Sequence, residues 1–441
     1  MKSFLSGSFL LLFLLAFCSS THAKTTEEIA RAVLSGNEKE SESAIAELRA
    51  SGPEGLSALF RVYENEIDQQ IQNSTSAAQY ERLNAALDAV SQQKDSYLSA
   101  LYWYTEMADA KAAARSSGKP ILSLRLLGKL NEEFSCANSR FFRSVLYSNP
   151  QVSSVLREHF VLHWQSVRPA PRVTIDFGDG RKLEGTITGN SIHYVLDTEG
   201  RPLDALPGLY GPQAFLRSLT RVQEVHNLIK GMDLAASMEA LDNYHRASVR
   251  MITKEWVETA QKAGGKIPEY LIPTTSTDGA PRAIDIAPLA ITKMISEINM
   301  LRAITRDAEA LGKVTDEATW NKIALQHLSD AALDKRSIGL IRRQTLKLFE
   351  NNDGSATPAE TKLTNLVRKL QMSIALDTVR NEFMLHTRLH ALLVADLTRF
   401  DVEKLNEKVY AEIFRTPKSD PWLGLFSDEV YMGLERGGVA P

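Results

Sequence analysis

Ile121-Leu122-Ser123-Leu124-Arg125-Leu126 is followed by Cys136-Ala137-Asn138-Ser139 and then by Phe160-Val161-Leu162-His163-Trp164. The outer two runs are short, apolar and bounded by turn residues, which predicts buried strands. Upstream, Ala108 to Lys119 is an Ala-rich run closed by Gly118, with Pro120 behind it. That composition and ending predict a helix. Phe141 to Tyr147 predicts a second helix, broken at Asn149-Pro150, and Gln151 to Glu158 a further short one. The order is therefore helix, strand, thiol loop, helix, strand.

An Ala-rich helix, Gly118-Lys119-Pro120, an apolar strand, a cysteine motif, a helix ending in Asn149-Pro150 and the strand Phe160 to Trp164 together resemble the secreted thioredoxin-like domains. The resemblance continues at Ile192 to Gly200, which matches a strand and an Asp-x-x-Gly turn. Leu203 to Leu209 then supplies a last strand, and Pro212 to Thr220 a closing helix. It implies an α/β thioredoxin-like domain over residues 108–221, with a central mixed sheet flanked by helices. In that family a Cys-x-x-Cys pair opens the first long helix. The spacing to Pro150 puts Cys136 on the nucleophilic first cysteine and Ser139 on the resolving second one.

The sequence departs from that pattern in four places. The aromatic residue expected directly before the first cysteine is Ser135, with Phe134 one step earlier. The loop between Leu126 and Cys136 is longer than usual. The position of the family's cis-proline aligns with Ser191. Arg172 to Thr188 is an insertion. In it Val173 to Asp176 and Leu183 to Ile187 alternate around Phe177-Gly178-Asp179-Gly180, which predicts a β-hairpin that extends or covers the sheet near the thiol.

A cysteine at a helix N-terminus faces unpaired N–H groups and the positive end of the helix dipole, which favour thiolate. Such a thiolate attacks disulfides. Ser139 cannot then expel the bound partner, because a hydroxyl forms no disulfide, though it can hydrogen-bond the sulfur. Two functions follow. The first is a degenerate, non-dithiol binding or scaffold module that takes a protein or peptide across the face of Cys136, Phe134 and Ser191. The second is a single-thiol disulfide isomerase or oxidoreductase with Cys136 as nucleophile and Ser139 beside it. A buried sulfur would exclude the second. His163, Trp164 and His193 lie on neighbouring strands, as satisfied strand groups or as tuners of the thiol.

Glu382, His386 and His390 are spaced i, i+4, i+8 and share one helix face. Two histidines at that spacing can bind zinc, with the glutamate as a third ligand. No fourth ligand is evident, and the pattern is not His-Glu-x-x-His. Polar contacts to a neighbouring helix are the competing use. No cofactor is expected.

The chain has 441 residues and a formal net charge of -3, without a clustered basic face, so a nucleic-acid partner is not expected. The first 23 residues hold Lys2, the apolar run Phe9 to Phe17 and Thr21-His22-Ala23, and are similar to a cleaved secretory signal. The rival reading is a lipid anchor on Cys18, against which the bulky Phe17 argues. Cys136 is the only cysteine beyond the signal. The expected location is periplasmic or secreted, with no transmembrane segment in the mature chain. Residues 24–107 and 222–441 carry helical periodicity and predict helical regions before and after the domain. The tail Asp420-Pro421-Trp422-Leu423-Gly424-Leu425 predicts a cap that docks Trp422. A thioredoxin-like domain followed by helices and this tail resembles a type of bacterial envelope protein, a likeness that brings no activity with it.

Overall fold

The computed structural model describes residues 24–73, 80–187, 189–264, 317–351, 358–395 and 400–423, and element labels count only these. The signal with Cys18, the polar loop read at Asn73 to Ala78 past its first residue, the helix read at Ala287 to Leu311 and the tail beyond Leu423 lie outside the described residues.

Five helices come first: α1 (Thr26–Ala32), α2 (Glu38–Ala50), α3 (Pro53–Val62), α4 (Glu64–Asn73) and α5 (Glu81–Ser91). They enclose a small core of their own around Leu48, Leu56, Leu59 and Leu87. Thr25 caps α1 through a reciprocal capping box with Glu28. Arg49 fastens this layer to the sheet, donating to the Val90 carbonyl at 3.0 Å and to the Trp103 carbonyl at 2.7 Å.

The sheet comprises β1 (Trp103–Tyr104), β2 (Ile121–Leu127), β3 (Val161–Arg168), β6 (Ser191–Leu196) and β7 (Pro202–Pro207), in the order β1-β3-β2-β6-β7. β1, β3 and β2 run parallel; β6 and β7 each run antiparallel to their neighbours. Every residue of β2, β6 and β7 is buried. Both faces are therefore covered, and that is why these strands read as continuous apolar runs rather than alternating ones. β1 lies within the stretch expected to be purely helical; two residues were too short to show a period.

Between the strands run α6 (Met107–Ser117), α7 (Ala137–Phe141) and α8 (Pro150–His159). Gly118 ends α6 in the left-handed region at φ 68°, and the Asn149 side chain caps α8 by accepting from Gln151 and Val152. α7 begins at the thiol motif itself, earlier than Phe141, and widens into a π-helical stretch at Phe142–Leu146. The inserted hairpin, β4 (Arg172–Asp176) with β5 (Lys182–Thr186), forms a separate two-stranded sheet and does not extend the central one.

α9 (Pro212–Ile229) runs through the boundary expected at 221/222, and α10 (Leu234–Lys262) follows it. After them come α11 (Glu317–Gln326), α12 (Lys335–Asn351), α13 (Ala359–Arg380), a π-helical stretch Asn381–His386, α14 (Thr387–Ala395) and α15 (Val402–Lys408). One apolar core runs without a break from the sheet into these helices, from Leu124, Ile192 and Leu206 to Trp256, Phe383 and Leu405. The C-terminal helices are thus part of the domain's packing. Among the described residues no helix is long and apolar enough to cross a membrane.

Gly211 shows how close that packing is. A Cβ at this position would stand 2.2 Å from the Asp330 carbonyl oxygen. The neighbour is backbone and cannot swing away, so Gly211→Ala is expected to cost about 1–3 kcal/mol by overpacking. A thermal melt tests this; an unchanged midpoint would mean that the two segments do not meet so closely.

Candidate functional site

Cys136 is the N-cap of α7, and its N–H donates to the Leu127 carbonyl at 3.0 Å, off the end of β2. Its side chain is 0% exposed. Ser139 is also fully buried, with its Oγ 2.9 Å from the Cys136 carbonyl oxygen and 2.5 Å from Ser135 Oγ. The hydroxyl expected to serve the sulfur is thus engaged by its own turn of chain. Ser191 opens β6 beside Leu126 and is buried. Its Oγ accepts from Asn138 Nδ2 at 3.0 Å, and the same amide donates to the Gly189 carbonyl. Phe134 is half-buried, its ring 4.8 Å from the Arg172 guanidinium carbon. The base of the hairpin covers this corner, where Thr186 Oγ1 donates to the Ser135 carbonyl at 3.2 Å.

The rest of the cover comes from the far end of the chain. α15 and the π-helical stretch that follows it, Val409–Ile413, lie across the sheet end that carries the thiol motif. Arg125 of β2 pairs with Glu403 at 2.5 Å, and Tyr194 of β6 donates to Asn406 Oδ1 at 3.2 Å. Tyr410 Oη donates to the Asn190 carbonyl at 3.0 Å, and Asn190 Nδ2 donates to Thr416 Oγ1 at 2.8 Å. Arg168 of β3 donates to the Thr416 carbonyl at 2.7 Å and to that of Asp420 at 3.2 Å. Burial raises the Tyr410 phenol well above its ordinary value, and the nearby Cys136 adds to the shift. Leu405 and Val409 are fully buried. The tail docks Leu423, 4% exposed, and not the expected Trp422, which is 47% exposed.

Each strand histidine pairs one ring nitrogen and buries the other, His163 Nε2 or His193 Nδ1, without a hydrogen-bond partner. His163 Nδ1 is 2.9 Å from Ser123 Oγ, and burial, helped by Arg125, holds the ring down to about 3. His193 Nε2 is 2.7 Å from Tyr147 Oη and its ring lies between Phe142 and Phe215; burial holds it down to about 3. Trp164 Nε1 donates to the Gln92 carbonyl at 2.8 Å.

The second candidate is more elaborate than the sequence showed. His386 and His390 stack with ring centroids 4.1 Å apart, and both face Asp204 of β7. Glu382 stands behind them, its Oε2 2.9 Å from His386 Nδ1, and it also pairs with Arg221 at 3.4 Å. His245 of α10 brings its Nδ1 to 2.9 Å from His390 Nδ1, and Tyr244 donates to Asp204 Oδ2 at 2.5 Å. Burial alone would raise the Asp204 carboxyl, but His390 and His386 hold it well below the usual carboxylate range. Glu382 likewise lies at about 2, against its burial, through His386 and Arg221. Burial opposes a charge on His386, yet Glu382 and Asp204 push it up to about 9, while burial holds His390 down to about 3. Asp204 and His245 went unread in the sequence. The available signal was an acid inside the otherwise apolar run Leu203 to Leu206.

No protein family, curated protein or solved structure matches this chain.

Proposed function

We propose that the region around the five-stranded sheet is a thioredoxin-like domain that has given up redox chemistry and serves as a scaffold in an exported protein. The observation that carries this reading is the complete burial of Cys136, with Tyr410 of the C-terminal segment near it. The strand order β1-β3-β2-β6-β7, with the cysteine motif between β2 and the following helix, supports the fold assignment. The serine at the resolving position and the engagement of its hydroxyl by backbone support the loss of dithiol chemistry. The occupant expected across the Cys136–Ser191 face is then internal: the C-terminal segment takes the place of an outside peptide and holds the helical half on the sheet. The exported location rests on residues 1–23 and their likeness to a secretory signal.

A single-thiol enzyme would need its sulfur at the surface, since only an accessible thiolate attacks a disulfide. Alkylation of Cys136 in the mature folded chain tests this, with Cys136→Ser as blank. No labelling is expected in the time that urea-unfolded protein labels fully. Native labelling at a rate within tenfold of the unfolded chain would overturn the scaffold reading and restore the isomerase.

A further inference from the structure

Asp204 of β7, His386 at the end of a π-helical stretch and His390 of α14 converge on one buried point, and His245 of α10 stands beside His390. Asp204 Oδ1 lies 3.3 Å from His386 Nε2 and 3.7 Å from His390 Nδ1. One donor atom from each of Asp204, His386 and His390 falls within 4.8 Å of the others. A tetrahedral ion with bonds of about 2.0–2.1 Å separates its ligand atoms by about 3.3–3.4 Å. The three donors therefore already stand near the spacing that an ion requires. His245 Nδ1 adjoins them, 2.9 Å from His390 Nδ1.

The surroundings are those of a ligand set. Glu382 Oε2 accepts at 2.9 Å from the Nδ1 side of His386, which turns the Nε2 lone pair toward Asp204. A carboxylate behind a ligating imidazole orients the ring and raises its basicity. Tyr244 engages Asp204 Oδ2, while Oδ1 faces the two imidazoles and also accepts from the Ala205 N–H at 2.8 Å. The helix is π-helical from Asn381 to His386, through two of these residues. Such widened turns recur at functional sites.

We propose that Asp204, His386 and His390, completed by His245, bind one divalent first-row ion of the zinc class, with Glu382 and Tyr244 as its outer partners. Imidazole donors favour zinc, cobalt, nickel and copper over calcium and magnesium. The four residues are each at most 2% exposed, so the ion is structural and clasps β7 to α10 and α14. Protons held on the ligating nitrogens leave to solvent as the ion binds.

The test uses the whole mature chain, unfolded in chelator, refolded without metal and titrated with Zn²⁺ or Co²⁺. One equivalent per chain is expected by elemental analysis after dialysis, together with a rise in melting temperature and the visible absorption of tetrahedral Co²⁺. Glu382→Gln is expected to weaken affinity about 10–100-fold, as loss of an outer partner does. His390→Gln should abolish the Co²⁺ band. A wild-type chain that takes up no ion overturns the proposal and leaves an internal hydrogen-bond and ion-pair network. So does a Co²⁺ spectrum that survives unchanged in both His390→Gln and Asp204→Asn. Should a variant fail to fold, the wild-type stoichiometry and spectrum still decide.

Discussion

Replacing Tyr410 by alanine is expected to cost about 3–5 kcal/mol, the range for truncating a buried aromatic side chain. The ring is 3% exposed and meets Phe414 edge-on at 5.2 Å between centroids. Its hydroxyl satisfies the Asn190 carbonyl just before Ser191. Truncation leaves a cavity and removes the hydrogen bond to that carbonyl. Local opening there then becomes easier, so alkylation of Cys136 should accelerate under native conditions even where the chain remains folded. Tyr410→Phe separates the two contributions, because it removes only the hydrogen bond, at a cost of about 1 kcal/mol. Urea midpoints and native alkylation rates for the three proteins are the measurement. A Tyr410→Ala chain of wild-type stability with an inert thiol would show that the C-terminal segment is not what seals Cys136.

Acid should destabilise the protein through His163 and His193. Burial depresses both from the ordinary 6.5 to about 3. Below pH 6.5 the unfolded chain takes up a proton on each ring while the folded chain does not. The stability these neutral rings contribute is complete above pH 6.5 and is lost progressively as pH falls toward 3. At pH 5 the loss is on the order of 2 kcal/mol for each ring, from about 1.4 kcal/mol per pH unit. Asp88 works in the opposite sense. Burial raises it from 3.8 to about 6, so its contribution is present below pH 3.8 and lost as pH rises through 6. His390, also held down to about 3, acts in the same sense as these two rings, so the wild-type drop is not set by His163, His193 and Asp88 alone. Comparing His193→Leu with wild type isolates one ring. The variant loses the Tyr147 hydrogen bond at every pH, but its stability should fall less steeply between pH 7 and 5, by about one proton's worth. Parallel curves for the two proteins would mean that His193 does not titrate between folded and unfolded states as its burial implies.

Much of the architecture was legible along the chain, because its signals are local. Gly118 after an Ala-rich run ends α6, Asn149 before Pro150 starts α8, and Asp197 with Gly200 makes the turn from β6 to β7. In that turn Asp197 Oδ1 accepts from the backbone of Glu199 and Arg201, and Gly200 takes φ 84°. The histidine pair was also legible as a helical face. Its use was not, since Asp204 and His245 are distant in sequence and neither sits in a metal-binding spacing.

The sequence by itself determined the order of elements around the sheet, the hairpin, and the absence of a second thiol at position 139. Each depends on residues a few positions apart, whose backbone preferences and periodicities act before the chain has folded. Only the tertiary structure decided that Cys136 is sealed, that Leu423 docks in place of Trp422, that the helical half shares the sheet's core, and that Asp204 meets the histidines. These outcomes depend on which apolar faces pack together. Complementarity between surfaces hundreds of residues apart leaves no periodic trace in either segment, so the burial of the thiol could not be read from the motif around it.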